Sequence, residues 1–280
     1  MSAAPANADA STTVTASIVS TGERDKVRDC VASLAAQDFA GTLQVALVVN
    51  GVRDGSDDVV RERFPNATIV VNAAKRGFSE NHNAGIAAAP QADFALVLNP
   101  DVALAPSCVR ELVAAMRRHP RAGLIGPLLR FPSGEAQPSA RRFPRLAGTL
   151  VRRTPVRALF GERLRRSGHF LPEPTDDRQV DWLLGACLFA RAAAWRRIGG
   201  FDPGYRPLYV EDIDVSWRMW SAGWEVWQTP SAEAFHEHQA ATDKVFFDRR
   251  TAWHLRGMLR FVRKHPRILV SSARPAAPAV

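Results

Sequence analysis

At 280 residues with 46% apolar side chains, the chain can bury a sizeable core without disulfide or metal staples. Its three cysteines, Cys30, Cys108 and Cys187, are odd in number and widely spaced in apolar stretches, which argues against a disulfide framework or a zinc site and for a reducing compartment. The net charge of +9 sits in two runs, nine arginines from Arg141 to Arg166 against Glu162 alone and six cations from Val245 to Lys264 against Asp248 alone.

Met1 to Thr12 is small and polar, without the basic start and apolar run of a signal peptide. Nowhere do about 18 apolar residues follow one another, so a cytoplasmic protein is expected, at most associated with the inner face of the membrane. Residues 1–12 are expected to be disordered. The chain then opens with a β-rich stretch at Val14 to Ser20 and a helix over Lys26 to Gln37, with Val27, Val31 and Leu34 at helical spacing. Leu43 to Val49 reads as a buried strand ending at Asn50-Gly51, and Asp54-Gly55-Ser56 caps a helix over Asp57 to Phe64. A strand at Ala67 to Val71, a loop and helix from Arg76 to Ala89 and a strand at Phe94 to Leu98 follow. After a helix from Pro106 to His119 and a strand from Gly123 to Arg130, the Pro- and Arg-rich stretch 131–175 loses periodicity and reads as a long excursion.

Order returns at Val180 to Ala190, interrupted by Gly185, and at a helix from Ala192 to Ile198 stopped by Gly199-Gly200. Glu211-Asp212-Ile213-Asp214 opens a helix reaching Ala222, a strand-like run covers Trp224 to Thr229, and an amphipathic helix runs from about Phe247 to Lys264. Residues 271–280 are expected to fray. Strands alternating with helices predict an α/β fold with a mostly parallel sheet flanked by helices and a basic C-terminal helix.

In such a sheet ligands bind at the carboxyl ends of the strands, and the polar groups Ser20-Thr21, Asn50-Gly51 and Asn99-Pro100-Asp101 gather there. Asp101 leaves a buried strand behind a rigid proline, where a carboxylate can hold Mg²⁺ or Mn²⁺ against phosphate oxygens. By itself the residue reads equally as a turn or capping Asp. The carboxylates at Glu211-Asp212 stand at a helix start, which stabilises them through the macrodipole and also suits a general base. The pair His236 and His238 is ambiguous alone, since loop histidines are common, but Asp101 leaves metal positions open for His236. Arginines interleaved with Leu146, Leu150, Val151, Leu159 and Phe160 suit a membrane surface or a diphosphate better than nucleic acid, because no aromatic platform or DNA-binding motif accompanies them. Phe247, Trp253, Met258, Leu259, Phe261 and Val262 beside the second basic run fit the same use or an ordinary core-packing helix.

Taken together, Asp54-Gly55-Ser56, Gly77-Phe78-Ser79-Glu80-Asn81-His82-Asn83-Ala84-Gly85, Asn99-Pro100-Asp101, Asp181-Trp182-Leu183-Leu184-Gly185-Ala186, Gly199-Gly200-Phe201-Asp202 and Glu211-Asp212-Ile213-Asp214 resemble family 2 glycosyltransferases of the GT-A fold, most closely the bacterial rhamnosyltransferase branch. The resemblance spans Val14 to Phe261. It implies a Rossmann-like nucleotide-sugar-binding half at 13–102, an acceptor-binding and catalytic half at 103–240 containing the excursion, and the C-terminal helix at 241–270. It further implies inverting transfer of a sugar, L-rhamnose from dTDP-L-rhamnose or another residue from a UDP- or GDP-linked donor, to a glycan or lipid-diphosphate-linked acceptor. Asp101 matches the last acid of the metal-binding triplet, with Asn99 in place of its first Asp, and His236 matches a metal- or diphosphate-holding histidine. Asp212 matches the catalytic base, with Glu211 orienting the acceptor or acting as the base itself. Ser20, Thr21, Glu23, Asn50, Gly77, Phe78, Asn83 and Asn99 correspond to the nucleotide-sugar side, and Trp182, Gly185 and Asp214 to the acceptor side. Ser20-Thr21-Gly22 replaces a common Tyr-Asn ending of the first strand, and Val49 replaces a base-recognising Asp, so thymine, uracil and guanine stay open. A non-catalytic lipid- or nucleic-acid-binding protein and a nucleotidyltransferase are the rival readings; the presence of Asp101, Glu211, Asp212 and His236 together argues against the first.

Overall fold

A computed structural model describes residues 10–144, 171–237 and 249–275. The first half comprises β1 (Thr13–Ser20), α1 (Arg24–Ala35), β2 (Thr42–Asn50), α2 (Ser56–Arg63), β3 (Thr68–Asn72), α3 (Phe78–Ala87) and β4 (Phe94–Leu98). Then come β5 (Val102–Leu104), α4 (Cys108–Arg118), β6 (Ala122–Arg130), β7 (Ala140–Arg141), β8 (Arg178–Gln179), β9 (Trp182–Leu183) and β10 (Cys187–Arg191). The chain closes with α5 (Ala192–Ile198), α6 (Glu211–Ser221), β11 (Glu225–His236), α7 (Arg249–Lys264) and a 3₁₀ turn at Pro266–Leu269.

These strands build one nine-stranded sheet in the order β3-β2-β1-β4-β10-β6-β11-β5, with β8 also on β11, while β7 and β9 form a separate pair. Strands β1, β2, β3, β4, β6 and β11 run in one direction and β5, β8 and β10 in the other, so the sheet is mostly parallel, as the alternation of elements predicts. The reversal comes from β10, which enters antiparallel between β4 and β6 and welds the two expected halves into one sheet.

Side chains alternate across the sheet as the strand period of two requires. Val14, Ala16 and Ile18 of β1 and Phe94, Leu96 and Leu98 of β4 face α1 and α4, whose apolar stripes include Val27, Val31 and Leu34, and Val109, Leu112 and Met116. On the other face, Val97, Leu188 and Ala190 pack with Trp195 of α5 and with Val215 and Met219 of α6. A Cβ on Gly85 would stand 2.4 Å from the Ser17 hydroxyl oxygen, so glycine lets α3 lie directly on β1. Burying both faces explains why β2 and β4 read as continuous apolar runs. All three cysteines are buried and free. No helix among the described residues is long and apolar enough to cross a membrane.

Several expectations are corrected. β11 extends past Thr229 to His236 through a register irregularity between Thr229 and Glu233, where Pro230 cannot donate to the ladder. A histidine read as belonging to a loop is therefore the last residue of a strand. The short strands β5, β7 and β8 carry too few residues for a periodic signal. The excursion is ordered where it is described: β7 pairs with β9, and Gln137 and Ser139 are buried. Residues 145–170, holding most of the first arginine run, and residues 238–248, with His238, lie outside the described residues. The tail is tied down as far as it is described, because Arg274 donates to Asp181 Oδ1 at 2.8 Å and Gln179 Oε1 at 2.7 Å and stacks on Trp220. Thr12 at the other end is likewise buried and accepts from the Thr42 amide.

Candidate active site

The carboxyl ends of β1, β2 and β4 face one side of the molecule, and each ends in a loop held by polar side chains. At β1, the Ser20 and Ser56 hydroxyls lie 3.0 Å apart, and the Thr21 amide and hydroxyl both donate to the Glu23 carboxylate at 2.6 Å. Asp54 Oδ1 accepts from the Ser56 amide and hydroxyl at the start of α2. Burial works to raise the Asp54 carboxyl, and these bonds outweigh it and hold it below the usual range.

At β2, Asn50 Oδ1 accepts from the Arg76 amide at 2.8 Å while its Nδ2 donates to the Arg76 carbonyl at 3.0 Å. Asn72 Nδ2 donates to Asn50 Oδ1 and Asn81 Oδ1, so three amides pin the loop before α3. Gly77 begins α3, its amide held by Glu80, while the Phe78 amide donates to the Pro207 carbonyl. Arg206 closes this contact on Glu80.

At β4, the Asn99 amide donates to the Ala186 carbonyl at 2.9 Å, fixing the turn that carries Asn99, Pro100 and Asp101. Asp101 then meets the end of β11: Val102 pairs with His236, and the Glu237 amide donates to the Asp101 carbonyl at 2.9 Å. Across that ladder Asp101 Oδ1 lies 3.5 Å from His236 Nε2. Gln137 Oε1 stands 2.9 Å from His236 Nδ1 and can only accept, so Nδ1 carries a proton and Nε2 is left facing the carboxylate. Asp101 Oδ1 is buried without a hydrogen bond. Two lone-pair atoms so placed call for positive charge between them, a proton on Nε2 or a cation. Burial would raise the Asp101 carboxyl, but the facing His236 and nearby Lys26 outweigh it and hold it below the usual carboxylate range. A carboxylate oxygen and an imidazole nitrogen are apt donors for Mg²⁺ or Mn²⁺. Among the described residues no group of three or more metal-binding side chains exists, so this pair would leave positions for phosphate oxygens.

The second acid group stands nearby. Gly185, next to the Ala186 that binds Asn99, donates its amide to Asp212 Oδ2 at 3.3 Å, and the Ile213 amide donates to Oδ1 at 2.9 Å. Asp101 and Asp212 are thus joined through the β4–β10 pair at the same end of the sheet. Glu211 is buried and its Oε2 accepts no hydrogen bond. Burial pushes the Glu211 carboxyl well up, with the Asp212 charge adding to it. Burial also raises Asp212, against a lowering pull from Arg141. The two residues before Glu211, Tyr209 and Val210, have φ of 86° and 77°, sterically disfavoured for side chains of this size and worst for β-branched Val210. Such strain costs about 1–3 kcal/mol per residue and fixes how α6 presents its first turn.

The remaining expected residues fall into two groups. Phe78, Trp182 and Gly185 border the Asp212 side: a Cβ on Gly185 would lie 3.5 Å from Asp212 Cβ and 3.6 Å from Phe78 Cζ, and Arg141 covers the Trp182 ring. Four others are spent on the scaffold. Asn83 gives both ends of its amide to Phe201, accepting from its N–H at 2.9 Å and donating to its carbonyl at 2.8 Å. Glu23 and Asn50 are saturated by their own loops, as described. Asp214, expected on the acceptor side, is instead fully buried among Tyr205, Arg218, Lys264 and His265, with no face left for a ligand. Val49, at the base-recognising position, is likewise buried in the core. Sequence reasoning missed Gln137, Arg141, Asn72 and Asn81. The first two lay in a stretch without periodicity; for the asparagines, the polar end of β3 and the motif containing Asn81 were the available signals.

A sheet of this topology with acids at its strand ends defines a glycosyltransferase of the GT-A fold. Residues 11–255 match the family model described as glycosyltransferase like family 2, and the chain belongs to that family. It is 36% identical over 221 residues to the N-acetylglucosaminyl-diphospho-decaprenol L-rhamnosyltransferase of Mycobacterium tuberculosis, covering 72% of this chain and 69% of that one. The rhamnosyltransferase WbbL of Escherichia coli is 24% identical over 255 residues, covering 88% and 90% of the two chains. Among solved structures, the mannosyltransferase PcManGT of Pyrobaculum calidifontis with GDP-Man and Mn²⁺ superposes with a TM-score of 0.60 at 15% identity, over 94% of this chain and 65% of that one. GalNAc-T7 with UDP, GalNAc and Mn²⁺ gives a TM-score of 0.60 at 15% identity, over 80% of this chain and 43% of that one.

Proposed function

We propose that this glycosyltransferase moves L-rhamnose from dTDP-β-L-rhamnose to a sugar hydroxyl of a lipid-diphosphate-linked acceptor, with inversion to an α-L-rhamnoside. The observation that carries the reading is the convergence of the Asp101–His236 pair and Asp212 at one end of the β4–β10 pair. The named activities of the mycobacterial and Escherichia coli relatives support the donor sugar, and that of the former supports the acceptor class.

In this reading the acceptor oxygen attacks the anomeric carbon as its bond to the diphosphate breaks, and the bonding pair leaves with dTDP. Asp212 takes the hydroxyl proton from the face opposite the leaving group. Of the two buried acids it is the better base. Amide donors hold its ionised oxygens, whereas Glu211, with Oε2 unpartnered and its carboxyl pushed well up, stays protonated and can donate to the acceptor. Asp101 and His236 would hold a divalent cation, Mg²⁺ or Mn²⁺, which neutralises charge accumulating on the departing diphosphate. Thr21, Gly77, Phe78 and Asn99 would border the nucleotide sugar, and Trp182 and Gly185 the acceptor.

Incubating the protein and Mn²⁺ with dTDP-β-L-rhamnose and a short-chain GlcNAc-diphospho-lipid tests this directly. Release of dTDP with formation of an α-L-rhamnoside is expected. Product only from a UDP- or GDP-linked donor would overturn the donor assignment, and rhamnosylation of lipid-free glycans alone would overturn the acceptor class. Ligand-induced thermal stabilisation by dTDP over UDP and GDP supplies the binding counterpart.

A further inference from the structure

Helix α7 has two unlike faces. Inward, Met258 and Phe261 are buried against Tyr205, Val210, Ile213 and Trp217, while Arg260 and Lys264 are paired with Asp202. Outward, Ala252, Leu255, Arg256, Leu259 and Arg263 fall on one stripe at the i, i+3, i+4 spacing. Leu255 and Leu259 are 45% and 51% exposed, and Leu269 and Val270 just beyond the helix are 60% and 88% exposed. Arg256, Arg263 and Arg267 are exposed and make no ion pair among the described residues. Leucines exposed beside unpaired arginines are not an ordinary solvated face.

We propose that the outward face of α7 and the turn after it form a docking surface for an anionic phospholipid bilayer. The leucines would enter the boundary between headgroups and acyl chains, while the arginines reach lipid phosphates on long apolar stems. Charge decides the occupant. Against a second copy of this chain across a two-fold axis, the arginine stripe would oppose itself, and nucleic acid would leave the leucines without an apolar partner.

The face is tied to the chemistry at Gly257. A Cβ there would lie 2.9 Å from the Tyr209 carbonyl oxygen and 2.9 Å from Val210 Cγ2, so α7 rests on the strained residues that introduce Glu211 and Asp212. Docking through α7 would therefore bring the acid pair to the membrane surface, where a lipid-linked diphosphate resides. This consequence rests on the proposed acceptor class; the docking itself does not.

The test uses the full-length chain with phosphatidylcholine vesicles that contain or lack phosphatidylglycerol, with no donor or acceptor present. Sedimentation with the phosphatidylglycerol vesicles alone is expected, weakening as salt is added. Leu255→Ser with Leu259→Ser should reduce partition at least about tenfold through lost apolar burial. Arg256→Gln with Arg263→Gln should reduce it roughly fivefold per charge and flatten the salt dependence. Because these side chains lie outside the core, thermal midpoints should match the parent. No sedimentation of the parent, or unchanged sedimentation of both variants, would overturn the proposal. So would a solution dimer that the leucine variants dissociate, since the face would then belong to a second copy. Vesicle binding without rhamnosyl transfer would sink the acceptor and donor reading while leaving the docking surface in place.

Discussion

Asp212 and Glu211 stand side by side yet differ in what their oxygens touch, and that difference sets their roles. Asp212→Asn keeps the size and the amide contacts but removes the proton acceptor. We expect transfer to fall by ~100- to 10 000-fold while dTDP and Mn²⁺ binding persists, measured by kinetics beside calorimetry. The base works only when ionised and burial raises its carboxyl, so activity should fall on acidification at a pH above the ordinary carboxylate range. Arg141 pulls the other way, so Arg141→Gln should move that acid limb of the pH–rate profile further up. His236→Ala leaves Asp101 as the only protein donor of the pair, and the Mn²⁺ concentration giving half-maximal rate should rise roughly 10- to 100-fold. A half-maximal concentration unmoved by that change would remove His236 from the metal site.

At the scale of elements, α6 and α7 are locked by Asp214, whose carboxylate receives Tyr205, Arg218, Lys264 and His265. Burial would raise this carboxyl, and His265, Arg218 and Lys264 outweigh it and hold it well below the usual range. The stabilisation is therefore complete above the unfolded carboxylate value and is lost as pH falls through the lower folded value. Asp214→Asn should cost roughly 3–5 kcal/mol by urea unfolding at about pH 7, and the gap from the parent should narrow at about pH 3. Gly257→Ala should cost about 1–3 kcal/mol and also lower the transfer rate, because α7 would push on Tyr209 and Val210. Asp214 shows where reading the sequence stops. Its motif with Glu211 and Asp212 is visible, but a helix turns 100° per residue, so adjacent acids face different surroundings, and only the packing of α7 tells which one is sealed. His236 is the reverse case, a single histidine made significant by a strand whose proline-containing irregularity hides its continuation.

For the whole molecule, the alternation of strands and helices through Leu98 was legible because β2 and β4 are unbroken apolar runs between glycine and asparagine loops. The antiparallel entry of β10 was not, since five residues carry no sign of direction or neighbour. That strand abolishes the expected boundary near residue 102: removing 103–280 would leave β4, whose Leu96 to Leu98 are fully buried, as a bare apolar edge. A fragment ending at residue 102 should therefore bind the dye ANS and lack near-ultraviolet circular dichroism, and a cooperatively folded fragment would contradict this view.

Asp101 and His236 hang from neighbouring rungs of the β5–β11 ladder, fastened by main-chain bonds rather than by choice of rotamer. The width of that grip is thus inherited from the sheet and stands ready in the resting enzyme. Loading and discharge of cargo require no rebuilding of the cradle, and the tempo of the cycle falls to whatever has to shift around it.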